Sequence, residues 1–465
     1  MMRSLNFLLC TSLLSMGQQA EAWDNQIDRP NILVILIDDA GYSDFGFMGS
    51  SEIRTPYIDA LASEGVVFTD GHVAATVSSP SRACLITGRY GHRFGYECNP
   101  DRSTDGLPLD EETLAEVFKK AGYHTAAIGK WHLGSRKEQH PNERGFDLFY
   151  GMKAGGRDYF YDETKSDRPG DNRNLLLNDR QVKFDGYLTD AFSDKAVEFV
   201  KETDSPFMMY LAYNAVHTPM QATEEDLALF KGHPRQKLAA MTYALDRGIG
   251  KIVRALKETG KYDNTLIFFL SDNGGATNNQ SSNYPLKGFK GNKFEGGHRV
   301  PFFMVWKKEF SSMNRFGGLV SSLDIFATAV DAAGIKNTKK KLDGVSLLPY
   351  VMGNKKGEPH EVLYWRKMDT SAIRNGDYKL IVTHGVDSVL YNVRADLDEQ
   401  ENLKDKEPKL FLKLYKKLSQ WEREECVPPL WIEEGWAEIT NGYHERLMHN
   451  EMKTAKDLYN KNSKR

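Results

Sequence analysis

Uninterrupted apolar runs alternate along the chain with segments whose apolar positions recur every three or four residues, so a strand signal is followed repeatedly by a helix signal. The run at residues 32–37 has no polar position, as a strand buried on both faces requires. Thr55-Pro56 then supplies a capping residue and a proline for a first helical turn, with Ile58, Leu61 and Ala62 on one face. Leu114, Val117 and Phe118 predict a second helix that Gly122 ends, and residues 123–128 a strand behind it. The pairing recurs as a helix over 191–200 before a strand over 207–213, and as a long helical region over 236–256 before strands at 266–270 and 302–306. Such alternation predicts an α/β fold, a large and mostly parallel sheet with helices on both faces. From about residue 360 the pattern changes. Strand-like segments at 362–365, 378–382 and 389–393 lie close together, with the turn Asn375-Gly376-Asp377 between the first two, and predict a smaller antiparallel sheet. A charged amphipathic helix over 409–423 and a basic, polar tail beyond 457 complete the chain.

A length of 465 residues with 40% hydrophobic side chains provides for two or three domains, or for one large α/β domain with an appendage. Lys+Arg 61 against Asp+Glu 64 leaves a formal net charge of -3, which excludes the strong basicity of a general nucleic-acid binder. Met1-Met2-Arg3, the apolar stretch that follows and Ala20-Glu21-Ala22 match the positive start, apolar centre and small-residue cleavage site of an export signal. The mature chain is therefore expected to begin at Trp23, in a periplasmic or secreted location. The apolar stretch is shorter than the roughly 20 residues of a spanning helix, and no later run approaches that length, so no membrane span is expected. Cys84, Cys98 and Cys426 have no paired metal-type spacing. One disulfide among them is compatible with export, but a small buried apolar side chain is the better reading of each.

In an open α/β sheet, chemistry collects at the carboxyl ends of the strands. The run at 32–37 leads straight into Asp38-Asp39, and the run at 266–270 into Ser271-Asp272-Asn273-Gly274. Each of these residues alone reads well as a cap or turn. Together, three carboxylates and an amide form a hard, oxygen-only ligand set suited to Ca²⁺ or Mg²⁺, and the adjacent carboxylates need a cation to offset their repulsion.

The most specific segment is Val77-Ser78-Ser79-Pro80-Ser81-Arg82-Ala83-Cys84-Leu85-Ile86-Thr87-Gly88-Arg89. Pro80 favours a helix start beside Ser78, which places Ser78 near free backbone N–H groups that attract an anion. The segment resembles the signature of the type I sulfatases, with Ile86 in place of the usual leucine. Gly129-Lys130-Trp131-His132, Asn214-Ala215-Val216-His217 and Lys290-Gly291-Asn292-Lys293 are similar to further motifs of that family, and the resemblance spans residues 30 to about 403.

The resemblance implies an alkaline-phosphatase-like sulfatase fold, with a leader at 1–22, a catalytic domain at 23–358 and a C-terminal subdomain at 359–465. It implies that Ser78 is oxidised to formylglycine and that Asp38, Asp39, Asp272 and Asn273, with residue 78, hold one Ca²⁺. Hydrated residue 78 would attack sulfur, Arg82 and Lys130 would stabilise its alkoxide, His217 and Lys290 would bind sulfate oxygens, and His132 would be the base that releases sulfate. Serine at position 78, where many members have cysteine, resembles bacterial members that need a radical-based, serine-type maturation enzyme as a transient partner.

For the substrate, residues 91–99 are similar to sulfatases of sulfated polysaccharides such as carrageenan, with glycosaminoglycans as the alternative. His72, Arg93, Tyr96 and His298 either line a sugar subsite or have structural roles, and the two readings fit each of them equally. Trp431, Trp436 and Tyr443 either add stacking surface or dock the terminal segment. Two other classes stay open, a phosphatase or phosphodiesterase of the same superfamily and a non-catalytic binder of sulfated glycans. Asn273 stands where a second-metal histidine would be expected in the first, and the full set of site residues speaks against the second.

Overall fold

The computed structural model describes residues 29–458 apart from 101, 103, 104, 162–169, 205, 311–313, 337 and 434. The expected leader at 1–22 lies outside the described residues. Strand Asn31–Ile37 is buried along its whole length at the middle of a ten-stranded sheet. It pairs in parallel with Thr265–Ser271 on one side and with Phe207–Ala212 on the other; His124–Lys130 and Leu148–Met152 extend the parallel set. Phe302–Val305 and Leu176–Leu177 join antiparallel, so the sheet is mixed but mostly parallel at its centre.

The alternation of side chains along a strand assigns each residue to one face. Leu33, Ile35 and Ile37 pack under the helices Pro56–Ala62, Leu188–Glu202 and Gln236–Glu258, whereas Ile32, Val34 and Leu36 pack under Ser78–Thr87, Leu114–Lys120 and Asp324–Ala332. Each such side chain contributes about 1.5–3 kcal/mol by leaving water. The helix Leu114–Lys120 starts at a capping box between Thr113 and Glu116, with Gly122 just beyond its end.

The smaller sheet has four antiparallel strands, Val362–Lys367, Thr370–Asn375, Tyr378–Thr383 and Asp387–Asn392. The sequence reading missed Thr370–Asn375, and the turn at Asn375-Gly376-Asp377 therefore joins the second and third strands. That strand carries Thr, Ser, Arg and Asn in place of an apolar alternation. Its polar side chains are buried because Ser371 donates to Glu422 and Arg374 pairs with Asp70 at 3.3 Å. Helix Pro408–Glu425 covers one face of the sheet, while Leu447 and Met448 of helix Trp436–Met448, also unforeseen, pack on the other. Among the described residues no helix is long and apolar enough to cross a membrane, and Cys84, Cys98 and Cys426 are all free thiols.

Candidate active site

Four strands of the large sheet deliver polar residues to one edge. Asp38 and Asp39 follow Asn31–Ile37, Asp272 and Asn273 follow Thr265–Ser271, Lys130 closes His124–Lys130, and His217 follows Phe207–Ala212. Helix Ser78–Thr87 begins at Ser78 itself, so the Ser78 hydroxyl sits at the positive end of the helix. Gly129 adopts φ 106°, and a Cβ there would stand 2.0 Å from the Ala212 carbonyl oxygen, so only glycine lets the strand carrying Lys130 lie against its neighbour. Asp39 and His132 have φ of 64° and 57°, a left-handed conformation costly for residues with a Cβ. Asn279 donates to the Asp39 carbonyl at 3.0 Å and Ser281 to the same oxygen at 2.8 Å, which holds Asp39 in place. No periodicity marked Asn279 or Ser281 in the sequence. Tyr159 Oη likewise lies 2.6 Å from the Asn214 carbonyl oxygen and 2.8 Å from that of His217, and its single proton, shared between them, helps fix the loop carrying His217.

The side chains meet. Ser78 Oγ lies 3.1 Å from Asp38 Oδ1 and 3.2 Å from Asn273 Oδ1. Lys130 Nζ donates to Asp38 Oδ2 at 2.6 Å, and Lys290 Nζ lies 2.6 Å from Asp39 Oδ1. Arg82 donates through Nε (3.1 Å) and Nη2 (2.8 Å) to Asp272 Oδ2 and through Nη1 to the Lys130 carbonyl at 3.1 Å. His217 Nε2 is 3.7 Å from Asp39 Oδ2. Burial alone would raise the Asp38 and Asp39 carboxyls, but Lys130 and Lys290 respectively, together with His217, outweigh it and hold both below the usual carboxylate range. Burial, followed by the charges of Lys130, Arg82 and Lys290, pushes His132 well below the ordinary histidine value, so its ring is neutral. Among the described residues the buried His132 Nδ1 has no hydrogen-bond partner, and Gly155 faces the ring so closely that a Cβ there would stand 2.7 Å from Nε2.

Comparison with known proteins shows the family of the chain. A family model described as sulfatase matches residues 30–335, two thirds of the chain. The chain belongs to the sulfatase family. It is accordingly a sulfuric ester hydrolase. A model for the C-terminal part of N-sulphoglucosamine sulphohydrolase matches residues 290–424 of this sulfatase. Among curated relatives, the uncharacterized sulfatase YdeN of Escherichia coli is 37% identical over 72% of this chain and 68% of its own. The N-acetylgalactosamine-6-sulfatase of Mus musculus is 32% identical over 75% of this chain and 71% of its own. Among solved structures, Ps i-CgsB in complex with k-i-k-neocarrahexaose matches with a TM-score of 0.82 and 36% identity, covering 90% of this chain and 99% of that one.

The polar edge of this sulfatase has the chemistry of a hard-cation site. The ligand oxygens of Asp38, Asp39 and Asp272 lie within 4.8 Å of one another, and all three residues are buried. The Asn273 amide is oriented by donating through Nδ2 to Asp39 Oδ1 (2.7 Å) and to the Gly274 carbonyl (2.9 Å), so its oxygen faces Ser78. The single hydroxyl proton of Ser78 can serve only one of the two oxygens beside it, Asp38 Oδ1 or Asn273 Oδ1. A divalent cation among these oxygens removes the remaining oxygen–oxygen conflict, so the residues fit Ca²⁺.

A cleft of about 890 Å³ opens over the sulfatase site and is lined there by Asp39, His217 and Lys290. Its lining includes Asn99 and Asn292, which belong to the segments 91–99 and 290–293 that carry the resemblance, Arg102 and Asn278, which the sequence reading did not single out, and Trp431, Trp436 and Tyr443. The four residues read as candidates for a sugar subsite do not reach it. His72 and His298 are fully buried, their Nδ1 atoms 2.9 Å apart, with His298 stacked on Trp365 at 4.0 Å. Asp70 and Glu295 beside them are matched by Arg299, Arg374 and Lys379, which makes burial of this polar group affordable. Tyr96 is buried behind Trp431, with its hydroxyl 2.7 Å from Ser79 Oγ at the start of the Ser78 helix. Arg93 forms ion pairs with Asp343 (2.8 Å) and Glu425.

Proposed function

We propose that this sulfatase hydrolyses sulfate esters of a sulfated polysaccharide or oligosaccharide, with a sulfated galactan of the carrageenan type as the leading substrate. The observation that carries the catalytic part is the position of Ser78, which is buried at a helix N-terminus beside Asp38 and Asn273 and one turn before Arg82. The galactan part is supported by the likeness to Ps i-CgsB, whose structure holds a neocarrahexaose. In this reading Ser78 is oxidised to formylglycine by a serine-type maturation enzyme, and its hydrate supplies a nucleophilic hydroxyl together with a second hydroxyl whose deprotonation expels sulfate. Asp38, Asp39, Asp272, Asn273 and residue 78 hold Ca²⁺, which when bound withdraws electrons from the sulfate group.

The chain's own residues do the rest. Arg82 and Lys130, both buried, place positive charge where residue 78 must carry an anionic oxygen. Lys290 and His217, on the open side, bind the oxygens of the ester, and one of them protonates the leaving alcohol. His132, kept neutral by its surroundings, accepts the proton that allows sulfate to depart. Its orphaned Nδ1 and its left-handed backbone fit a residue held for such a task.

Peptide mass spectrometry of protein made with and without a serine-type maturation enzyme tests this reading, alongside sulfate release from carrageenan oligosaccharides and glycosaminoglycan fragments. A loss of about two mass units at Ser78 together with galactan desulfation is expected. Hydrolysis of phosphate esters with Ser78 unchanged would instead favour the phosphatase reading. A separate titration tests the cation. Millimolar Ca²⁺ added to chelator-treated protein should raise Tm by about 2–5 °C, as about 2.7 kcal/mol of linkage at a hundredfold excess over Kd implies. An unchanged Tm counts against the site.

A further inference from the structure

The cleft wall contains two indoles from the C-terminal segment, and only one has an internal duty. Trp431 is 7% exposed, meets Tyr96 edge-on at 4.9 Å and donates its indole N–H to the Asn99 carbonyl at 2.8 Å, so it docks the segment onto the large domain. Trp436 is the first residue of helix Trp436–Met448 and is 57% exposed. Among the described residues its ring has no aromatic neighbour, no cation over its face and no hydrogen bond from its nitrogen. Scattered exposed aromatics are ordinary. This one stands on the same cleft wall as Lys290, His217 and Asp39, beside Ile432, itself 56% exposed.

The polar groups around it suit a sulfated chain. Arg102 is exposed on the same wall. The acidic Glu433 is already taken up by Lys367 and by the Asn99 backbone N–H at 2.8 Å, so it presents little uncompensated charge to an incoming polyanion. A cleft of about 890 Å³ falls near the upper end of the roughly 300–1,000 Å³ of small-molecule sites, which suits a ligand longer than one sugar.

We propose that Trp436 is a stacking platform for a saccharide unit next to the one carrying the reacting sulfate, with Arg102 facing a neighbouring sulfate ester. The protein then selects an extended sulfated oligosaccharide over a monosaccharide sulfate. The C–H face of a pyranose covers the indole and removes its exposed area from water, which a single sulfated ring bound at Lys290 and His217 does not do. The inference rests on the reading of this cleft as a sulfate-ester site.

The test uses full-length Ser78→Ala protein, which binds without turnover, in calorimetric titrations with a sulfated galactan hexasaccharide and with galactose sulfate. Adding Trp436→Ala is expected to weaken the hexasaccharide about 10- to 30-fold and the monosaccharide less than about twofold, with Trp436→Phe in between. Arg102→Gln should weaken the hexasaccharide alone, and less so at high salt, where screening already removes its contribution. Hexasaccharide affinity unchanged in Trp436→Ala, or equal losses for both ligands, would overturn the platform, as would failure of the Ser78→Ala parent to bind the hexasaccharide. Sulfate release by Ser78-converted wild-type protein, measured in parallel, tests the enzymatic reading alone. A protein without sulfatase turnover that still loses hexasaccharide affinity in Trp436→Ala overturns that reading and leaves the platform standing.

Discussion

Ser78→Ala is expected to abolish sulfate-ester turnover, with kcat/KM down by about 10⁴-fold or more, while the fold survives. Among the described residues Ser78 Oγ is the one hydroxyl in direct reach of both Asp38 and Asn273, at 3.1 and 3.2 Å, and it stands at a helix start where developing negative charge is stabilised. The neighbouring Lys130, Arg82 and Lys290 are cations paired with carboxylates and offer no nucleophilic oxygen. The hydroxyl contributes one hydrogen bond, so stability should change by no more than about 1 kcal/mol. Steady-state assays and a melting curve on the same preparation check both halves. Substantial residual turnover in the alanine protein would remove Ser78 from the nucleophile role.

Arg82→Met should lower Tm by roughly 3–5 °C and reduce turnover with it. The guanidinium is fully buried, donates twice to Asp272 Oδ2 and once to the Lys130 carbonyl, and lies 3.8 Å from Asp38 Oδ1. Burial opposes its charge, but Asp272 and then Asp38 more than reverse that and hold it firmly protonated. Methionine fills much of the space and leaves Asp272 buried without its cation, a loss of about 3–5 kcal/mol for a broken buried pair. Thermal denaturation in chelator and in Ca²⁺ separates the contributions, because a bound cation would compensate part of the exposed negative charge. A Tm within about 1 °C of wild type in both conditions would contradict the buried pairing.

Most of the site was legible because its residues sit where local sequence announces them. Asp38-Asp39 and Asp272-Asn273 follow apolar runs that can only be buried strands, and a strand's carboxyl end is where a parallel sheet opens. The motif from Val77 to Arg89 carries its own helix start, and Lys130 and His132 directly follow a strand that Gly129 lets pack tightly. The layered α/β architecture and the small C-terminal sheet were readable for the same reason, since periodicity is a property of neighbouring residues. What stayed hidden has the opposite character. Thr370–Asn375 is a strand whose polar side chains are satisfied by Glu422 and Asp70, far away in the chain, so no local alternation reveals it.

The structure places His72, Tyr96, Arg93 and His298 away from the cleft lining, and the reason is of the same kind. Polar and aromatic residues read as exposed when taken alone, yet Arg374 and Lys379 come from a distant segment and join Arg299, the neighbour of His298, in neutralising the acids beside the two histidines, and Trp431 covers Tyr96. Trp436, by contrast, looked no different from Trp431 in the sequence, and only the fold leaves one docked and the other open. The sequence by itself determined most of the strands, the helix start at Ser78 and the oxygen-bearing side chains at the strand ends. The tertiary structure alone decided which of them face the cleft, because burial depends on partners brought together across hundreds of residues, and no short stretch of chain contains that information.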